Sequence, residues 1–280
     1  MTDAANLFAV DGRLHERILR IPHPGPLATA LASIAAGRSV AVVGGMGSGR
    51  RVLIDTLDEE APSRSSRTPV WATPDREAHL SEEVSNATRL AQLLVELDRR
   101  GVDPGELVLA DAWLAAWRNL PPGCVKAFAR LASECGAVFV VGIDAFPGEE
   151  RADGRPEDLP VFRGASWTFI RVDKQPLTPS EAVDWLRSVT TAVGETLLQA
   201  EIDVILKVAT MRGPIVPYGF APDLRQDAYA PALLASAAAA YWEARTGSNT
   251  HPDMGRLAEV RDHIWARSVL APARKHTRPS

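Results

Sequence analysis

Ser39-Val-Ala-Val-Val-Gly-Gly-Met-Gly-Ser-Gly-Arg-Arg-Val52 is the stretch that decides the fold. Ser39 to Val43 reads as a short apolar strand, and a helix is expected to start near Ser48. Between them lie Gly44, Gly45, Met46, Gly47, Ser48 and Gly49. Gly44 and Gly49 have the spacing of a phosphate-cradling loop, G-x-x-x-x-G-K-[ST]. Such a loop works because successive backbone N–H groups curl around phosphate oxygens at the positive end of a helix. Glycine allows the backbone angles and the close approach that this needs. Two positions depart from the pattern. Arg50 stands where the lysine belongs, and Arg51 where the magnesium-binding Ser or Thr belongs. An arginine fork can contact phosphates, but it is longer and planar and does not sit where a lysine ammonium would. Two arginines at a helix amino end also run against the macrodipole, which leaves two readings, an anion nearby or a solvated pair that arose by drift.

Working outward, the chain alternates strand and helix signals. Leu14–Arg20 reads as a short helix, interrupted by Ile21–Pro26, and Leu27–Ala36 as a helix ended by Gly37. Ala61–Thr68 reads as a polar turn and Pro69–Ala72 as a strand. Ser81–Arg100 carries Leu90, Leu93, Leu94 and Leu97 at helical spacing. Glu106–Asp111 reads as a strand ending in a carboxylate, Val125–Glu134 as a helix closed by Gly136, and Ala137–Gly142 as a central parallel strand. Residues 147–160 read as an exposed loop and Ser166–Val172 as a fifth strand. Strands separated by helices argue for a parallel α/β sheet with right-handed crossovers. After residue 173 the character changes. Thr178-Pro-Ser-Glu181 is a capping box with proline at the first helical position, and the chain beyond reads as helical, with breaks near 211–223 and 247–253.

The expected organisation is therefore an N-terminal extension over 1–20, an α/β domain over 21–174, a helical domain over 175–270 and a basic tail over 271–280. At 280 residues and 46 % apolar composition the chain can bury an ordinary core. A net charge of −4 excludes a protein that is, as a whole, an electrostatic ligand for nucleic acid. Cys124 and Cys135 have no metal-binding spacing and read as thiols of a reducing compartment. The start of the chain lacks a signal-peptide pattern, and no apolar run approaches the roughly 20 residues that span a bilayer. The expectation is a cytoplasmic protein without a membrane partner.

Candidate chemistry is sparse. Asp111 closes a strand some 60 residues after the loop, where a carboxylate can hold magnesium, usually through water. Ala112 follows it, where a glutamate would activate water. Asp144, just past the apolar strand, is placed to sense a γ-phosphate or to cap a turn. The six histidines are scattered, and neither a Gly-x-Ser-x-Gly elbow nor an H-E-x-x-H motif is present.

This order of elements resembles the AAA+ and STAND branch of phosphate-loop ATPases over about residues 20–245. The resemblance rests on GGMGSGRR, ELVLAD, GAVFVVG, SWTFIRV and the string Pro176-Leu-Thr-Pro-Ser-Glu-Ala-Val-Asp-Trp-Leu186, which is similar to the entry of the helical lid in that family. Met211-Arg-Gly-Pro214 is weakly similar to the lid's sensor region. The resemblance implies a P-loop NTPase-like five-stranded parallel sheet, its first strand between the fifth and the fourth, followed by a small helical lid. It implies ATP or ADP bound between the two, the 21–26 segment near the adenine, and magnesium at Asp111. The binding set it implies is Gly44, Gly45, Met46, Gly47, Ser48, Gly49, Arg50, Arg51 and Asp111. Arg118, Arg151, Arg155 and Arg163 are the loop candidates for an arginine finger, none of them assigned. With the lysine, the Ser/Thr and the glutamate all replaced, the expectation is a weak ATPase at most, with no confident catalytic residue.

Three functions remain open at this stage. One is a regulatory or assembly switch that binds ATP or ADP with little or no hydrolysis. The second is a pseudo-ATPase subunit with an empty nucleotide site, acting through a protein partner or self-assembly. The third is a DNA-associated helper using Arg256, Arg261, Arg267, Arg274, Lys275 and Arg278.

Overall fold

Ser39–Val43 is strand β1, and all five of its residues are buried. The reason is its position inside a parallel sheet, where both faces of a strand are covered and the sequence reads as an unbroken apolar run. The computed structural model describes residues 23–45, 48–65, 67–71, 83–134, 136–144, 155–163, 166–172, 175–192, 194–211, 229–246 and 253–270. These fall into two compact units, one built on 23–45 with 50–173, the other on 174–271 together with 48–49. Expectations for the 14–20 helix, the 21–22 part of the adenine segment, Met46, Gly47, Cys135, Arg151, the 212–214 part of the sensor region and the 271–280 tail lie outside the described residues.

In chain order the first unit runs α1 (Pro24–Ala35), β1, α2 (Arg50–Ser65), β2 (Thr68–Trp71), α3 (Glu83–Arg100), β3 (Glu106–Trp113), α4 (Leu114–Arg118), α5 (Pro122–Ser133), β4 (Val138–Asp144) and β5 (Trp167–Arg171). The strand order is β2-β3-β4-β1-β5, with every pairing parallel. β1 thus lies between the fifth strand and the fourth, the order that the family resemblance implied. Alternate residues feed two cores, as the two-residue period of a strand requires. Val40, Val42, Leu107, Leu109, Val138 and Val140 pack with Ile34 of α1 and with Leu53, Ile54 and Leu57 of α2. Ala41, Val43, Val108, Ala110, Phe139 and Val141 pack on the other face with Leu90, Leu94 and Leu97 of α3 and Phe128 and Leu131 of α5. Each large side chain so buried contributes about 1.5–3 kcal/mol.

Several boundaries differ from expectation. α2 continues through Ala61 and Pro62 to Ser65, where a polar turn was expected. Ala61 is fully buried, which anchors the last turn, and the Ser65 hydroxyl donates to the Ala61 carbonyl at 2.8 Å. β3 runs two residues beyond Asp111, and β4 extends to include Asp144. Residues 156–158 and 160–162 form short 3-10 turns; within the loop expected to be exposed over 147–160, Pro156 and Leu159 are buried, and Val161 and Phe162 just beyond it are buried too. α4 carried no sequence expectation; it buries Leu114, Ala116 and Trp117.

The second unit contains α6 (Pro179–Ala192), α7 (Gln199–Thr210), α8 (Pro231–Thr246) and α9 (Met254–Leu270). The capping box is present: the Thr178 N–H donates to Glu181 Oε2 at 2.8 Å, and the Glu181 N–H to Thr178 Oγ1 at 3.3 Å. Trp185, Leu186, Val189, Ile202, Ile205, Leu234, Ala237, Ala238, Trp242 and Leu257 form its core. No helix among the described residues is long and apolar enough to cross a membrane.

Candidate functional site

The carboxyl ends of β1, β3 and β4 and the amino end of α2 meet at one place. The Gly44 N–H donates to the Ile143 carbonyl at 3.1 Å, carrying the β1–β4 ladder one residue into the glycine run. Gly49 has φ +82°, a left-handed conformation that turns the chain into α2 and that side chains other than glycine rarely adopt. Gly45 is half-buried and Ser48 buried.

Arg50, the first residue of α2, folds back over this end of the sheet. Its Nη1 donates to the Gly44 carbonyl at 2.8 Å and lies 3.0 Å from Asp144 Oδ2. Its Nη2 donates to Asp111 Oδ2 at 3.3 Å, and its Nε lies 3.1 Å from Asp111 Oδ1. Arg51 Nη1 reaches the same Asp111 Oδ2 at 3.3 Å, while its Nε donates to Asp55 Oδ1, also at 3.3 Å. Both carboxylate oxygens of Asp111 thus face guanidinium nitrogens. The Arg50 side chain is 12 % exposed and that of Asp111 3 %, so this pairing is shielded from water.

Register explains how Asp111 fits. It lies opposite Gly142 on β4, and a Cβ at 142 would stand 2.0 Å from Asp111 Oδ1 and 2.6 Å from Ile54 Cδ1. Only a residue without a side chain leaves room for the carboxylate. The Trp117 indole N–H donates to the Gly142 carbonyl at 3.0 Å, in the buried interior, and pins β4 at this point. Neither contact was expected from the sequence, although a glycine inside an otherwise apolar strand is the signal of a close approach.

The charges follow from this geometry. Burial alone would lower the pKa of Arg50, but Asp111 and Asp144 outweigh it and hold the guanidinium above its ordinary value. Burial pushes the Asp144 carboxyl above the usual carboxylate range, Arg50 pulls it down, and Asp111 adds to the rise. Asp144 Oδ1 is buried and has no hydrogen-bond partner among the described residues. Ala112, where a water-activating glutamate would stand, is buried.

The remaining candidates are dispersed. Arg118 ends α4 rather than lying on a loop, and Arg155 and Arg163 are exposed. Arg261 is 1 % exposed; its Nη1 donates to the Met211 carbonyl at 2.7 Å and to that of Val208, and it pairs with Asp262. It caps the end of α7 from inside the helical unit and is removed from the basic surface proposed for DNA. Arg256 is exposed. Cys124 is buried, which pushes its thiol up, and its Sγ lies 3.7 Å from the Ala91 carbonyl. Among the described residues no group of three or more His, Cys, Asp or Glu side chains is arranged to hold a metal ion.

No protein-family model matches the sequence, and no curated protein matches it. Among solved structures the chain is similar to Cdc6p from Pyrobaculum aerophilum, with 16 % identity over 88 % of this chain and 67 % of that one and a TM-score of 0.47. It is similar to a Walker-type ATPase of Pyrococcus abyssi, with 12 % identity, 85 % and 70 % coverage and a TM-score of 0.46. A chain in the HORMA:CdnC:Trip13 complex of E. coli MS115-1 is similar at 14 % identity, 82 % coverage of each and a TM-score of 0.38. The fold stands on its own strand order and register, and these likenesses say nothing of what this chain binds.

Proposed function

We propose that this chain is a degenerate P-loop-type protein that does not turn over nucleotide and acts as a regulatory or scaffolding module through protein contacts. One observation carries the reading: Arg50 lies against the Gly44 carbonyl, Asp111 and Asp144, and so spends its charge inside the protein. A magnesium-dependent ATPase needs a carboxylate free for the metal's water shell and a cation free for the phosphates. Here Asp111 is engaged by Arg50 and Arg51, and position 112 offers no base. The residues present do not fit a magnesium–ATP complex.

The test is calorimetric titration of the full chain with ATP and ADP, with and without Mg²⁺, while phosphate release is followed in the same sample. The expected result is no phosphate release and no Mg²⁺-dependent heat. Mg²⁺-dependent binding with turnover overturns the reading. A second reading, a switch that binds ATP or ADP without hydrolysis, is favoured by the retained strand, glycine run and helix start with Gly49 at φ +82°. Metal-independent binding of either nucleotide in the same titration selects it.

A further inference from the structure

β4 and β5 are not neighbours. β1 lies between them, so the chain from β4 to β5 has to cross over it. The crossovers that join the other strands carry α2, α3 and α5, helices of 16, 18 and 12 residues. The described part of this one, residues 155–163, holds two three-residue 3-10 turns, Pro156–Asp158 and Pro160–Phe162. Its backbone bonds are short-range. The Asp158 N–H donates to the Arg155 carbonyl at 3.0 Å, Leu159 to Pro156 at 3.2 Å, Phe162 to Leu159 at 3.0 Å and Arg163 to Pro160 at 3.2 Å. Arg163 Nη2 donates to the Asp158 carbonyl at 3.2 Å. Among the described residues none of these bonds reaches the sheet. Side chains hold the stretch down instead. The Phe162 ring lies 5.0 Å from that of Trp167, 5.6 Å from Phe169 and 5.7 Å from Trp117, between centroids. Leu159 and Val161 are buried beside it, and Glu157 Oε1 lies 3.5 Å from Arg171 Nη1. The closed contact leaves two polar atoms unsatisfied: Trp167 Nε1 and Glu157 Oε2 are buried with no hydrogen-bond partner among the described residues. Water satisfies such atoms once they are uncovered.

We propose that residues 155–163 form a strap that lifts off the sheet as one piece while the strands stay paired. A segment opens in this way when its backbone bonds are local and few side chains tie it to the rest. Lifting the strap takes Phe162 out of its ring contacts and breaks the Glu157–Arg171 pair, and it costs no strand–strand hydrogen bond. It uncovers Trp167 and Phe169, which are half-buried even when the strap is closed. The strap packs on the face of the sheet that carries α3 and α5, so the proposal stands apart from the glycine run and from the nucleotide titration.

The experiment is native-state hydrogen exchange of the full chain, read by NMR across sub-denaturing urea. The amides of Asp158, Leu159, Phe162 and Arg163 report on the strap, and those of β1 and β4 are the reference. The four strap amides are expected to exchange through one shared opening, at a rate nearly independent of urea. The strand amides are expected to exchange more slowly, at rates that rise steeply with urea because they need global unfolding. Phe162→Ala is expected to speed the strap amides about tenfold or more, and to raise acrylamide quenching of the Trp167 fluorescence, identified by difference from F162A/W167F. Strap amides that follow the urea slope of the strands, that open at unrelated rates or that are unprotected in the wild type overturn the proposal. If F162A does not fold, Val161→Ala, a smaller truncation in the same stretch, takes its place, and strap amides that fail to speed up in it overturn the proposal as well.

Discussion

At position 142 there is no room for a methyl group. A Cβ there would overlap Asp111 Oδ1, so Gly142→Ala must displace either the carboxylate or the strand. The expected loss is about 2 kcal/mol, the usual cost of overpacking a core, read from urea unfolding. Arg50→Ala, in the absence of added metal, leaves Asp111 and Asp144 without their shared cation. Breaking one side of a buried ion cluster costs about 3–5 kcal/mol, measured the same way. Asp144→Asn is expected to lose less, because Arg50 keeps Asp111 and the Gly44 carbonyl. The residues involved were legible as a glycine run, two misplaced arginines and two strand-end acids. Their contacts were not, because Asp111 and Asp144 are far in the chain from Gly44 and Arg50, and only strand register brings β3 and β4 beside the end of β1.

Among the secondary-structure elements, local chemistry was the best guide where the partners are close in sequence. The Thr178–Glu181 box at the start of α6 is such a case, and Thr178→Ala is expected to cost about 1 kcal/mol in thermal or urea unfolding. α7 is capped from Glu201, whose Oε2 takes the Leu198 N–H at 2.7 Å. Glu201 Oε1 also accepts the Tyr241 hydroxyl of α8 at 3.0 Å and lies 3.5 Å from Arg245 Nε. Burial, helped by Glu201, raises the Tyr241 phenol to about 12, against the pull of Arg245. The folded state therefore favours the neutral phenol. Its contribution is present below the ordinary tyrosine pKa of roughly 10 and is lost as pH rises through about 12. Ultraviolet titration should show a late-ionising tyrosine that disappears in Tyr241→Phe; coincident ionisation in both proteins would refute this. The end of α2 was misread for the opposite reason. Pro62 and the serines are turn formers locally, and burial of Ala61 under the sheet overrides them.

For the whole molecule, the strand–helix alternation was enough to imply the sheet, and the resemblance supplied its order. The closed site leads to an expectation for the intact protein: EDTA leaves the Tm of the wild type unchanged, and Mg²⁺ with ATP adds no stabilisation, by differential scanning calorimetry. A ligand that binds only the folded state raises Tm by mass action, so a shift that grows with Mg²⁺–ATP concentration would contradict the closed site. The DNA reading weakens at this scale, since Arg261 turns into the helical unit to cap α7 and leaves the other basic residues without it.

The sequence by itself determined the parallel α/β class, the glycine-rich run between β1 and α2 with arginine at 50 and 51 and alanine at 112, and the capping box that opens the helical unit. These are set by hydrophobic period, backbone permissiveness and side chains a few residues apart. Only the tertiary structure decided what Arg50 and Arg51 do. A charged side chain at a buried position must find its counter-charges, and here β3 and β4 carry Asp111 and Asp144 to it through register and the bare backbone of Gly142. That pairing is a property of the assembled sheet, which no single stretch of chain contains.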